Sequence, residues 1–403
     1  MDSRRKFIGA MASGLASTLA SSSVLGANDR LRIGVIGAGQ RGTELVHQAL
    51  AGGNVEIAAF ADVYSKRLDD ARHLAPGAAV YDDHRRLLDA PAIDAVIIAT
   101  PQHLHAQHLV HALEAGKHVY QEKTLAFTVD EAKRARAAYR SSKAVVQVGH
   151  QACSSGQIRD AANFLASGQV GKITAIRMHW YRNTPRGKAQ WARPVYPDMT
   201  PENIGWNAFL GNAPWGDFDA HRFINWRFFE DYSGGNVYEN LSQQLAFWYK
   251  ALNLQIPQAA TMTGGLYLWK DGRDVPDTMN VTFEQPEQML VSWDSGLGNS
   301  QLGITEDVLG SEGTISRSPS GIRYLPQKVN RPEGAEAAGK VAGFPAAHMQ
   351  NFVDCVRAGA GSGREPHCTF ELGYRVSIAC RMALESFHQG RTVRWDARTE
   401  TIV

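Results

Sequence analysis

Short apolar runs alternate with amphipathic stretches along the first third of the chain. Leu31 to Ile36 is mostly apolar and gives way to helical spacing from Gln40 to Ala51; the next apolar run, Val55 to Ala61, stops at Asp62. Further runs at Ala79 to Tyr81, Ala95 to Ala99, His118 to Tyr120 and Ala144 to Val148 are interleaved with helical spacing from His103 to Glu114 and from Thr128 to Ser141. Short apolar runs bounded by turn residues read as buried strands, and their alternation with helices implies parallel strands joined by crossovers. The pattern predicts an α/β fold with a doubly wound parallel sheet, whose ligand must lie across the carboxyl ends of the strands. Those ends carry Gly37 to Gly42, Asp62, Thr100 and Pro101, Glu122 and Lys123, and Gly149 and His150. Later in the chain, His348 to Arg357 and Glu371 to His388 have helical apolar spacing and are expected on the flank of this first domain, while Lys328 to Ala342 is polar, rich in Gly and Ala, and reads as an exposed loop.

The turn after the first strand reads Gly37-Ala38-Gly39-Gln40-Arg41-Gly42. Gly37 permits the tight turn, Gly39 lets backbone approach a pyrophosphate, and Gly42 lets the helix pack closely, while the helix N-terminus offers free N–H groups to phosphates. Asp62, twenty residues beyond Gly42, stands where a carboxylate accepts the ribose hydroxyls of NAD. It would repel a 2′-phosphate, which favours NAD over NADP; Lys66 and Arg67 follow closely enough to neutralise such a phosphate, so NADP stays open.

Composition narrows the field. A length of 403 residues suits two domains, and a net charge of +2 without a basic run after the first residues argues against nucleic acid or a membrane surface as partner. A small molecule is the expected partner. Cys153, Cys355, Cys368 and Cys380 show no metal-ligand spacing, so no metal is expected; Cys355 and Cys368 are closest for a disulfide, with free buried thiols the other reading. At the start, Ser3-Arg4-Arg5-Lys6-Phe7, an apolar run to about Ala20 and small residues from Ser21 to Ala27 read as a twin-arginine export leader, residues 1–27, cleaved near Asn28. This implies export of the folded protein to the periplasm through the twin-arginine machinery, with no membrane attachment after cleavage. Since no soluble nicotinamide pool exists there, an exported dinucleotide enzyme must hold its cofactor tightly and regenerate it within each cycle.

The stretches GAGQRG, ATPQHLHAQHLVHALEAGKHVYQEK, VGHQ, WNAFLGNAPW, NWRFFEDYSGGN, HMQNFVDCVRAG and GRTVRWD, in this order, resemble the glucose-fructose oxidoreductase, inositol dehydrogenase and rhizopine catabolism family of NAD(P)-dependent sugar enzymes. The resemblance implies a Rossmann domain over residues 28–150 and, over 151–403, an α+β substrate and oligomerisation domain with a large, open, mostly antiparallel sheet, through whose outer face a homo-oligomer would assemble. It keeps the lysine of the family's Glu-Lys-Pro signature as Lys123, in Glu122-Lys123-Thr124. An ammonium there hydrogen-bonds the substrate alcohol and stabilises the developing alkoxide. His105 and Arg227 lie within the same stretches and join Gly37, Gly39, Gln40, Arg41, Gly42, Asp62, Thr100, Pro101, Glu122, Lys123 and His150 as cofactor-side candidates.

The chain departs from the family at its second signature. In the segment Gly234 to Ala246, the family's aspartate is Glu239, its histidine is Gln243 and its later aspartate is Ala246. Glutamine cannot take up a proton at neutral pH, so the usual acid/base is missing. Tyr238 and Glu239 are the nearest replacements, and His150 is a third. A related family of NAD-dependent N-acetylgalactosaminidases also has twin-arginine leaders and places a tyrosine after a Gly-Asn pair, where Tyr238 stands; its histidine three residues on is Leu241 here.

Between His179 and Tyr249 lie Trp180, Trp191, Trp206, Trp215, Trp226 and Trp248, interspersed with Arg182, Arg186, Arg193, Arg222 and Arg227. Aromatic faces stack on sugar rings while arginines and amides read hydroxyls. Trp191, Arg193, Trp206 with Asn207, Tyr238 and Gln243 are the candidate substrate contacts. Three functions fit: an oxidoreductase on a sugar or glycoside with an internally recycled nicotinamide, a glycosidase using transient oxidation, elimination and reduction, and a noncatalytic sugar-binding module with a structural dinucleotide.

Overall fold

The structure is a computed structural model, describing residues 30–340, 346–359 and 361–403. The leader expected at residues 1–27 and its cleavage near Asn28 lie outside them. Among the described residues no helix is long and apolar enough to cross a membrane.

The first domain comprises β1 (Leu31–Ile36), α1 (Gln40–Ala51), β2 (Val55–Ala61), α2 (Ser65–Leu74), β3 (Ala79–Tyr81), α3 (His84–Leu88), β4 (Ala95–Ile98), α4 (His105–Glu114), β5 (His118–Gln121), α5 (Val129–Ser141) and β6 (Val146–Val148). Its six strands are parallel in the order β3-β2-β1-β4-β5-β6. The chain runs outward from β1 in one direction and resumes on its other side at β4, and at such a reversal the crossovers part and leave a crevice over the strand ends. The central strands have both faces covered: Ile33, Val35, Ala95, Val96, Ile97 and Ile98 are buried, which is why β1 and β4 lack a polar face in sequence.

The second domain opens with α6 (Gln157–Ala166), β7 (Ile173–Tyr181), and two short helices, α7 (Trp206–Leu210) and α8 (Ala220–Ile224). A wide π-helical turn, Val237–Leu241, leads into α9 (Ser242–Leu252). Then come β8 (Ala259–Gly265), β9 (Thr278–Gln285), β10 (Met289–Gly296), β11 (Ile304–Gly310), β12 (Gly313–Ser318), β13 (Gly321–Pro326), β14 (Ala337–Ala338), α10 (Ala346–Ala358), α11 (Phe370–Gln389), β15 (Val393–Asp396) and β16 (Thr401–Ile402). They form a ten-stranded sheet in the order β14-β13-β12-β11-β7-β10-β9-β8-β15-β16. Its pairs are antiparallel except β7 with β10. Strand β9 alternates buried Met279, Val281, Phe283 and Gln285 with more exposed partners; its inner side faces the helices.

Two sequence expectations need adjustment. Helix α10 does cover the first domain, where Met349, Phe352 and Val353 share a core with Ile33 and Val35. Helix α11 instead packs mainly on β8 and α9 of the second domain, touching the first through α5 and β6. Its apolar positions run almost all round, from Phe370 and Leu372 to Met382 and Ala383, because it is wedged between the two sheets rather than laid on one flank. All four cysteines are buried and free. The thiol beside Cys368 is Cys153, not Cys355, the nearest in sequence.

Candidate active site

The crevice over the parallel strand ends is a cavity of about 1950 Å³ between the two domains. Its floor is the glycine turn. Gly37 has φ +95°, and a Cβ there would lie 2.8 Å from the Ala99 carbonyl group; at Gly42 a Cβ would lie 2.0 Å from the Gly37 oxygen. Both glycines are required by the protein's own backbone. Gly39 is different: its backbone is ordinary, and a Cβ would meet nothing nearer than the Arg67 guanidinium at 3.5 Å. Gly39 also begins α1 without any side-chain cap. The first N–H groups of α1 are therefore left without a capping side chain beside the cavity, as a site for a dinucleotide pyrophosphate requires.

Asp62, at the end of β2, accepts from the backbone N–H of Ala38 at 2.8 Å and of Tyr64 at 2.9 Å. Its carboxylate thus ties the glycine turn to the next strand end. Arg67 comes within 3.7 Å of it while lying over the Tyr64 and Phe223 rings, and Lys66 is exposed beside Asp70. Arg41 spans Glu122 at 2.8 Å and Glu44 at 3.1 Å, joining the helix start to the end of β5. Thr100 and Pro101 line the cavity. His105 does not: its ring is buried between the Thr124 carbonyl at 2.6 Å and the Thr100 carbonyl at 2.8 Å, so it fixes the strand-end loops from behind.

A segment from Arg182 to Gly205 crosses the cavity mouth and is fastened to the first domain. The Tyr64 hydroxyl donates to Asp198 at 2.5 Å, Ser65 N–H to the Asn203 carbonyl at 3.0 Å, and Gly205 N–H to the Val63 carbonyl at 2.8 Å. Arg193 reaches Gln40 of the glycine turn, and its own backbone N–H donates to Asn225 at 2.7 Å. The segment thus brings Trp191 and Arg193 to the cavity. Trp206, stacked on Phe209 and bonded through Nε1 to the Gly216 carbonyl at 2.8 Å, belongs with Tyr64 and Phe223 on the Asp62 side.

Lys123 lies at the end of β5, with its Nζ 2.5 Å from Glu239 Oε2. The other carboxylate oxygen accepts from Arg227 Nε at 3.1 Å and from Gln102 Nε2 at 2.9 Å. Gln102 is held in turn by Ser233 and the Gly234 N–H. Burial works against the Glu239 charge, but the Lys123 and Arg227 cations overcome it and hold the carboxyl at about 2. Glu239 is therefore an ionised anchor at neutral pH, poorly suited to carry a proton. The Lys123–Thr124 peptide bond is cis.

The adjacent Tyr238 points elsewhere. It is fully buried, its hydroxyl donates to the Phe127 carbonyl at 2.7 Å, and burial pushes it above the usual phenol range. It is a core residue under Gly234, where a Cβ would strike its ring. His150 is also fully buried; desolvation and the Lys123 charge lower it to about 3, and its near polar neighbour is Gln243. Gln243 itself lines a second, smaller cavity. The structure thus gathers Glu239 and Arg227 with Trp191, Arg193 and Trp206 around one cavity, holds Lys123 to that wall through Glu239, and removes Tyr238 and His105 from it. Sequence reasoning missed Gln102 as Glu239's second anchor, although it follows Thr100 and Pro101 directly. It also missed Tyr64 and Asp198, which no motif marks. No group of residues suited to a metal occurs among those described.

Residues 31–150 match the family model described as the GFO_IDH_MocA oxidoreductase family, NAD-binding Rossmann fold. A 1-carboxy-3-chloro-3,4-dihydroxycyclohexa-1,5-diene dehydrogenase from Comamonas testosteroni is 32% identical over 146 residues, 36% of this chain and 37% of that protein. A glycosyl hydrolase family 109 protein from Shewanella sp. (strain W3-18-1) is 40% identical over 112 residues, 26% of this chain and 24% of that protein. These matches span well under half of the relatives' length. A levoglucosan dehydrogenase in complex with NADH and L-sorbose superimposes with a TM-score of 0.71 over 91% of this chain and 99% of that one, at 18% identity. The fold is thus a Rossmann domain followed by a domain with a mostly antiparallel sheet, and the first domain matches the NAD-binding domain of an oxidoreductase family.

Proposed function

We propose that the protein is an oxidoreductase that passes hydride between NAD and a carbinol or carbonyl carbon of a sugar or glycoside. The observation that carries this reading is Lys123: a largely buried ammonium just past the end of β5, joined at 2.5 Å to Glu239, which lines the crevice. The uncapped α1 start, Gly39 and Asp62 fit the dinucleotide. When bound, NAD supplies the hydride acceptor. The protein's own part is to hold the alcohol oxygen on the Lys123 ammonium, which stabilises the oxyanion as charge develops. Glu239 aims Lys123, and Arg227 and Gln102 hold Glu239 in place. The sugar neighbours named above support the substrate class.

Export, if the leader operates as its residues suggest, adds a constraint: the cofactor must stay bound and be restored by a second sugar. The fastened Arg182–Gly205 segment is consistent with retention. Assembly through the outer face of the large sheet is part of the same proposal. The glycosidase reading has support from the family 109 similarity, but Tyr238, the residue that would link the two, gives its hydroxyl to the Phe127 carbonyl and lies off the cavity wall.

The experiment is transfer of deuterium from a panel of C–H-deuterated sugars and aryl glycosides to bound NAD, in the native protein and in Lys123→Met. Transfer by the native protein that falls about a hundredfold or more in the variant, with NADH binding kept, is expected. Undiminished transfer in Lys123→Met would overturn the assigned role; release of aglycone with no net label transfer would favour the glycosidase.

A further inference from the structure

Behind the cavity wall that carries Glu239 lies a separate space of about 140 Å³, bounded by Gln151, Trp180, Gln243, Gln244, Glu306 and Arg317. Gln243 is one turn past Glu239, and Trp180 is capped by the Arg182 guanidinium 5.0 Å from its ring, Arg182 itself being a wall residue of the large cavity. The small space therefore adjoins the wall of the large cavity, next to Glu239 through Gln243 and next to Arg182 through Trp180.

Its polar groups are unequally satisfied. The Gln244 amide is fully used, accepting from Trp293 at 2.8 Å and donating to the His179 and Thr305 carbonyls. Arg317 donates to Glu306 Oε1, holds Gln157 at 2.8 Å and lies over the Phe247 ring. Three atoms are left over: the Trp180 indole Nε1–H, the Gln151 Nε2 amide and Glu306 Oε2, the last on a residue only 1% exposed, and none has a protein partner. Buried groups of this kind are destabilising unless a ligand or water pairs them. Two leftovers are donors and the third is an acceptor, and Arg317 balances the Glu306 charge, so the missing partner is a neutral group that both accepts and donates. A hydroxyl does this.

We infer that this space is a subsite for a hydroxyl-bearing arm of the substrate, its oxygen accepting from Trp180 and its proton going to Glu306. The volume holds roughly four waters, or an arm of two or three carbons. The assignment rests on the sugar reading, to which it adds that the substrate extends past the reacting carbon with at least one free hydroxyl.

The test is a fluorine NMR titration of NAD-loaded protein labelled with 5-fluorotryptophan, the Trp180 signal being identified by its loss in Trp180→Phe. Glycerol, a polyol small enough for the space, and D-glucose are added in turn, and the nicotinamide band is recorded in the same samples. A saturable shift of the Trp180 signal with both is expected, and the conservative Glu306→Gln, checked for an unchanged melting temperature, should weaken it by about tenfold. A nicotinamide band that responds to glucose while the Trp180 signal does not would overturn the subsite and leave the sugar reading standing. Silence in both readouts would overturn both. A shift with glycerol alone would mark a solvent space and overturn the subsite.

Discussion

At the residue scale, the glycines of the first turn separate structural from ligand-binding demands. Gly42→Ala places a methyl 2.0 Å from the Gly37 oxygen, so it should cost about 3 kcal/mol of folding free energy in a denaturant titration. Gly39→Ala has space within the protein and should cost about 1 kcal/mol, as an unfavourable helix start. It should nonetheless lower NADH affinity at least about tenfold, because the methyl stands where the pyrophosphate must approach. Equal effects of the two on stability would show that the Gly39 space is not reserved for a ligand. Glu239→Gln removes the counter-charge of both Lys123 and Arg227 and should reduce kcat by about tenfold to a hundredfold, less than Lys123→Met, since the ammonium remains but loses its aim.

The same scale shows what could be read in the chain. Gly37, Gly42, Asp62 and Lys123 were legible because each follows an apolar strand at the end where a parallel sheet gathers its ligands. The choice between Tyr238 and Glu239 was not. Both fall in the π-helical turn Val237–Leu241, whose widened register turns neighbouring side chains to opposite sides, and residue spacing does not reveal where such a turn forms. His105 was misplaced for a similar reason: a histidine beside a strand-end motif serves equally well behind the loops as in front of them.

At the scale of elements, the Arg182–Gly205 segment is the part that sequence periodicity could not place, since it has neither helical nor alternating spacing and its order comes from tertiary ties. Those ties make it testable. Arg193→Ala removes the contact to Gln40 and Asp198→Asn weakens that to Tyr64. Each should raise the dissociation rate of NADH by about tenfold with little change in melting temperature, followed by displacement of nicotinamide fluorescence. An unchanged rate in both variants would mean that the segment shapes the cavity without retaining the cofactor. Helix α11 teaches a related lesson: its nearly all-round apolar surface showed burial, but not which sheet it would serve.

At the scale of the whole molecule, several buried histidines couple folding to pH. His103 is lowered to about 4, and His150 and His348 to about 3, each chiefly by burial. In the unfolded chain all three would titrate near the ordinary 6.5. The unfolded state therefore binds more protons below that value, so their contribution is intact above about pH 6.5 and declines as pH falls toward 4 and 3. Glu239 acts in the same direction at lower pH, its contribution being lost between about 4.5 and 2. The melting temperature at about pH 5 should thus lie several degrees below that at about pH 7.5; an equal or higher value at pH 5 would contradict the buried neutral state of these rings.

We propose that a retained, redox-active nicotinamide meets a sugar beside Lys123. This is tested most directly by the absorbance spectrum of the protein as purified, before and after sugars and aryl glycosides are added without external cofactor. The expected result is a bound nicotinamide band that rises or falls with one class of sugar and returns when a second sugar is supplied. A bound band that no sugar changes would contradict it and leave the dinucleotide a structural part of a binding module.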